Sequence, residues 1–144
     1  MDNFILSKKI SLVDIVISAA KEMGDNVNLI CLTLEMPKAA SVKLQRAQEQ
    51  NILSEISIYM KAQHRRKKNW CAAMLKLGWH IYNIPVHAKI ALLEKENQRR
   101  AFLSSNNWQA GGCLGVCYEI PDRHTVDEIF VQCSSALSEF QPLQ

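Results

Sequence analysis

The sequence predicts a helix-dominated α+β fold: about five helices with a small two- or three-stranded sheet, in a single compact domain over 1–144 with a short tail at 141–144. Three observations carry that prediction. Apolar residues recur at helical spacing in five segments, two apolar runs end at proline as strands do, and no stretch rich in Gly, Pro or Ser divides the chain. An all-α bundle is the alternative, because a short apolar run does not by itself separate a buried strand from a buried helix.

The first element is a helix over about 12 to 23. In "SLVDIVISAAKEMG", Ser11 caps and Asp14 supplies a first-turn carboxylate; Leu12, Ile15, Ala19 and Met23 share a face, and Gly24 stops the helix. After the polar turn "GDN", the apolar "VNLICLTLEMP" reads as a buried strand closed by Pro37. "KAASVKLQRAQEQNILSEISIYMKAQ" is rich in helix formers and carries Ile52, Ile56, Tyr59 and Met60 as a stripe, which predicts a long helix with a break near Asn51. From Trp70 to Tyr82 only Lys76, Gly78 and His80 are not apolar, the pattern of a central helix buried nearly all round. "YNIPVHAKIALLEKENQRRAFL" follows as another helix, with Asn83 as cap, Pro85 in the first turn, and Val86, Ile90 and Leu93 inward. "CLGVCYEIP" ends at proline as a second strand, expected to pair near residues 112–120 with 27–35. The last helix lies in "HTVDEIFVQCSSALSEF", where Thr125 and Glu128 form a capping box and Ile129, Cys133 and Phe140 share a face.

Composition excludes whole classes. With 48% hydrophobic residues in 144, the chain can bury a core, so intrinsic disorder is a poor fit. Five cysteines, an odd number without a secretory leader, point to reduced thiols and a cytoplasmic protein. No run approaches the roughly 18 uninterrupted apolar residues a membrane span needs, so no membrane partner is expected. The formal net charge is +3, but residues 64–103 carry nine Lys/Arg against two Asp/Glu, while 104–144 carry one against five. Such asymmetry predicts a polarised surface.

The basic patch is the candidate binding site. If 70–82 and 83–103 were antiparallel neighbours, the run His64, Arg65, Arg66, Lys67, Lys68 would meet Arg99 and Arg100 at one end, with Trp108 as a flat surface for an unpaired base. Guanidinium forks and ammonium groups so arranged suit phosphate oxygens. The function this predicts is a small nucleic-acid-associated regulatory or accessory protein that binds DNA or RNA backbone. The alternative is a protein-interaction module, an adaptor or inhibitor, whose patch docks an acidic protein surface. Residues 72–98 follow a helix-turn-helix loosely, but Pro85 delays the second helix and Glu94 and Glu96 spoil its reading face. Cys113, Cys117, His124 and Cys133 are a weak candidate zinc set, looser than the usual two-residue knuckle. "AGGCLGVC" lacks the spacing of phosphate-binding glycine loops. No catalytic signature stands out, so neither enzyme activity nor a cofactor is expected.

Overall fold

Seven strands in one mixed sheet, with three helices on one face and one on the other, organise the described residues. The computed structural model describes residues 4–7, 11–61, 68–84, 86–105, 108 and 115–143. In chain order the elements are β1 (Phe4–Ser7), α1 (Leu12–Glu22), β2 (Val27–Leu32), α2 (Lys38–Glu49), β3 (Leu53–Met60), α3 (Lys68–Lys76), β4 (His80–Asn83), β5 (Ile90–Lys95), β6 (Gln98–Ser104), β7 (Gly115–Glu119) and α4 (Arg123–Leu137). Across the sheet the order is β1-β7-β6-β5-β2-β3-β4. β2, β3 and β4 run parallel, joined by α2 and α3 as crossovers; β5, β6, β7 and β1 continue the sheet antiparallel from β2.

Several sequence expectations are corrected. The fold is α/β, with four helices and a seven-stranded sheet, not helix-dominated with a small one, and not an all-α bundle. The long helix expected over 38–63 stops at Glu49, and its second half is β3, which alternates so that Ile56, Ile58 and Met60 face the core. The central helix ends at Lys76, and His80–Asn83 is a strand. The helix expected over 83–103 is the β5–β6 hairpin, closed by a two-residue turn in which Glu96 takes φ 54°. β2 and β7 do not pair, because β5 and β6 lie between them. α4 is capped by Asp122, whose carboxylate accepts from the Thr125 amide at 2.8 Å, instead of by Thr125.

The three helices on the first face end alike. In α3 the Gly78 amide reaches Leu75 and the Trp79 amide reaches Met74, with Gly78 at φ 85°; Gly24 closes α1 and Asn51 closes α2 in the same pattern. This left-handed stop leaves the chain aimed back toward the sheet, which is why α1, α2 and α3 each feed directly into a parallel strand. Their shared core holds Leu12, Val16, Leu44, Ile56, Ile58 and Trp79, with Trp79 Nε1–H donating to Gln48 Oε1 at 2.8 Å. On the other face α4 covers Leu92 and Ala101 with Val126 and Phe130. Among the described residues no helix is long and apolar enough to cross a membrane.

Candidate active site

In an open α/β sheet, ligands bind beyond the carboxyl ends of the parallel strands, where backbone diverges and side chains from several strands converge. Here that end is defined by Leu32, Met60 and Asn83, the last residues of β2, β3 and β4. β5 starts there and β6 ends there. The Ser104 amide donates to the Lys89 carbonyl at 2.9 Å, so the β5–β6 ladder continues one residue past Ile90 and sets Lys89 opposite Ser104.

Register then fixes which side chains share a face. Lys89 precedes Ala91 by two residues and Ser104 follows Phe102 by two; Ala91 and Phe102 pair and belong to the core beneath α1. Strand alternation therefore puts Lys89 and Ser104 on that same face, in a row that includes Cys117 and Thr33. His87 lies two residues before Lys89 and is exposed, while Lys89 is half-buried. Ser105 is held beside them: its hydroxyl accepts from the Val116 amide at 2.9 Å, and its own amide donates to the Val116 carbonyl.

This end of the sheet thus presents an imidazole, an ammonium and two hydroxyls within a few residues of each other. Imidazole changes charge near neutral pH and can act as base, acid or nucleophile. The ammonium is a point charge for an anionic oxygen, and a hydroxyl can donate to one. A groove of about 550 Å³ opens nearby between α2 and α3, lined by Met36, Met60, Asn69, Trp70 and Met74 among others, with room for the organic part of a substrate.

The described residues nominated from sequence are dispersed. His64, Arg65, Arg66 and Lys67 lie outside the described residues, although Lys61, just past β3, and Asn69, in the first turn of α3, both stand at the His87 end. Lys68 opens α3. Arg99 and Arg100 lie toward the opposite end of the sheet from Lys61 and Asn69, where the hairpin carries them. Arg99 meets Glu94 at 2.6 Å and Asp127 at 3.2 Å, and stacks over Phe130. Arg100 grips both oxygens of Glu119 at 2.7 Å and also reaches Glu22, which raises its pKa. These carboxylates occupy the donors that a phosphate would need.

Trp108 is 1% exposed, so it offers no open face for stacking. Of the candidate metal set, Cys113 lies outside the described residues. Cys117 is buried in the core on the α1 face, Cys133 packs on the α4 face, and His124 is in the first turn of α4, so the structure does not bring these three together. Burial, with the Glu119 charge adding to it, pushes the Cys117 thiol up to about 11, which leaves it protonated and unreactive at neutral pH. Among the described residues no group of three or more His, Cys, Asp or Glu is placed to hold a metal ion.

His87, Lys89, Ser104 and Ser105 were not singled out from sequence as site residues. Their signal was positional: once "VHAKIALL" is a strand approach and strand, His87 and Lys89 stand two residues apart at the entrance to β5. No family model and no curated protein matches the chain. Solved structures do match it in shape. NucT from Helicobacter pylori aligns with a TM-score of 0.71 at 13% identity, over 97% of this chain and 99% of its own. Nuc from Salmonella typhimurium, a phospholipase D family member, aligns with a TM-score of 0.68 at 12% identity, over 98% and 96%. Polyphosphate kinase from Porphyromonas gingivalis aligns with a TM-score of 0.69 at 15% identity, over 96% of this chain and 24% of that one, so the chain spans about a quarter of its length. The expectation of a non-catalytic accessory protein or adaptor is corrected accordingly: the fold is the one seen in NucT, in the phospholipase D family member Nuc and in part of a polyphosphate kinase.

Proposed function

We propose that this chain hydrolyses phosphodiester bonds, with His87 and Lys89 at the reacting centre. The observation that carries the reading is the placement of His87, Lys89 and Ser104 together at the carboxyl end of the parallel strands, in a fold that spans nearly all of this chain and of Nuc. Phosphoryl transfer asks a protein mainly for positioning and for charge on the non-bridging oxygens. Lys89 and the Ser104 hydroxyl supply that charge and hydrogen bonding. His87 supplies the lone pair, to phosphorus or to the proton of an attacking water, as the bond from phosphorus to the leaving oxygen breaks.

In-line displacement sets the attacking and leaving oxygens on opposite sides of phosphorus, so one imidazole serves only one of them. A second copy facing the first would bring another His87 to protonate the leaving oxygen. The polyanionic substrate most consistent with the charge pattern is a nucleic-acid strand, since Arg65, Arg66, Lys67 and Lys68 are consecutive in the sequence and the described residues flanking 62–67 stand at this end of the sheet. The full chain is to be assayed on a chromogenic aryl phosphodiester and on labelled single-stranded DNA, alongside its molar mass in solution. His87→Ala and Lys89→Met should each lose about 10²- to 10⁴-fold in rate with unchanged circular dichroism. A wild-type chain inert on both substrates, or a fully active His87→Ala, sinks the reading.

A further inference from the structure

The groove between α2 and α3, of about 550 Å³, has the composition of a pocket for a flat organic group. Its floor is apolar: Met36, Met60 and Met74 line it and are buried, and methionine side chains adapt to the shape of what they touch. Trp70, half-buried, adds an aromatic wall. Its Nε1–H is already donated to Ser41 Oγ at 3.1 Å, so what Trp70 offers the groove is ring surface. Trp79 packs edge-on against the same indole, with 6.3 Å between ring centroids, and holds it in place. Gln45 and Asn69 contribute amides at the more exposed side.

Charge and position say which flat group. Among the described residues Lys38 is the one charged side chain in the lining, so no carboxylate there opposes a polyanion, whereas the cavity beside α1 has Asp14, Glu22 and Glu119 in its lining. Arg65, Arg66, Lys67 and Lys68 come immediately before Asn69 and Trp70 in the chain. The groove also opens within reach of His87. The Ile84 amide donates to the Met60 carbonyl at 3.1 Å, and His87 follows Ile84 by three residues, which bounds that step at about 11 Å between Cα atoms. A strand whose phosphate sits at His87 can therefore lay a neighbouring base in the groove, and stacking on an aromatic ring serves any base, because every base has a flat face.

We propose that the groove between α2 and α3 binds one unpaired nucleobase next to the scissile phosphate, with Trp70 as the stacking surface, so that the chain acts on nucleic acid that is single-stranded at that position. A base stacked inside a duplex has no free face to bring to the ring. The place of the base beside the scissile phosphate rests on the hydrolase reading, while the binding of the base stands without it.

The test separates the two. A thymidylate hexamer and a stable abasic hexamer carry the same phosphates and release the same counterions, so the difference between them isolates the base. Both are titrated into the full chain carrying His87→Ala, which keeps cleavage out of the measurement, and followed by calorimetry and indole fluorescence. The thymidylate strand should bind about tenfold more tightly, roughly 1.4 kcal/mol, and alter the indole emission. Trp70→Leu should abolish that advantage. Ala73 lines the groove from an exposed helical position, so Ala73→Leu fills the groove without opening the core and should abolish the advantage even if Trp70→Leu fails to fold. In a kinetic arm with His87 restored, Ala73→Leu should raise KM about tenfold for the thymidylate strand and far less for the abasic one. Equal affinity for the two hexamers, no binding of either, or an advantage kept in Ala73→Leu overturns the base pocket. An equal rise in KM on both strands overturns its place beside the scissile phosphate. An advantage lost in Ala73→Leu, with no hydrolysis of either strand by the wild-type chain, overturns only the hydrolase reading.

Discussion

Arg99 and Arg100 are neighbours with the same charge, yet strand alternation sends them to opposite faces, where each ties a different helix to the sheet. Arg99 holds α4 through Asp127, and Arg100 holds α1 through Glu22. Their strengths should differ. Arg100 is bidentate to Glu119, and both side chains are four-fifths buried, so Arg100→Met strands a buried carboxylate and is expected to cost about 2–4 kcal/mol. The ion pairs of Arg99 are a third exposed, and Arg99→Met should cost about 1 kcal/mol or less. Urea unfolding of the two variants checks the order. Acid sensitivity is also set by single residues. Hydrogen bonds from the Thr125 hydroxyl and amide hold the Asp122 carboxyl below its ordinary value, and the hydrogen bond from Lys43 does the same for Asp14. A carboxyl depressed in the folded state stabilises above its unfolded value, near 3.9, and that stability is lost as pH falls through the folded value. The denaturation midpoint should therefore hold from about pH 5 to about pH 8 and drop below about pH 4, less steeply in Asp122→Asn.

The elements divide by how well local chemistry announces them. α1 was legible because cap, stripe and stop agree, and β2 because its run is apolar, short and closed by proline. β3 was not, since Ile52, Ile56, Tyr59 and Met60 also fall on a helical stripe; the turn at Asn51, φ 61°, breaks that stripe and resets the pattern to alternation. β5 failed for a different reason. It is a central strand, so Ala91, Leu92 and Leu93 are all buried, one face under α1 and the other under α4, and alternation vanishes from the sequence. Its Ala, Leu, Glu and Lys are helix formers overruled by pairing on both edges. Because β5 went unseen, so did the alignment of His87 with Lys89, and with it the candidate site. Trp108, nominated from sequence as a stacking surface, is instead buried in the core. At the helix stops the geometry makes a clean expectation. A Cβ at Gly78 would meet nothing within 4 Å, yet φ is 85°, so Gly78→Ala should cost about 1–2 kcal/mol purely through backbone conformation, visible as a lower melting temperature with unchanged spectra.

Taken whole, the molecule is a sheet whose far ends come from distant parts of the chain. At one edge β4 closes a parallel set assembled from consecutive β-α-β units. At the other, β1 pairs with β7, so residues 4–7 wait for residues 115–118. On a ribosome adding about 5–20 residues each second, that interval lasts roughly 5–20 s. Throughout it Phe4, Ile5 and Leu6 have no strand to join, and even in the finished fold they stay 42–54% exposed on an outermost strand. Nascent chains stalled before residue 115 should therefore be the stage most prone to clumping and most helped by chaperones. β1 thus precedes its partner strand by more than a hundred residues, so this short apolar segment stays without its place in the sheet while the strands between are still being synthesised.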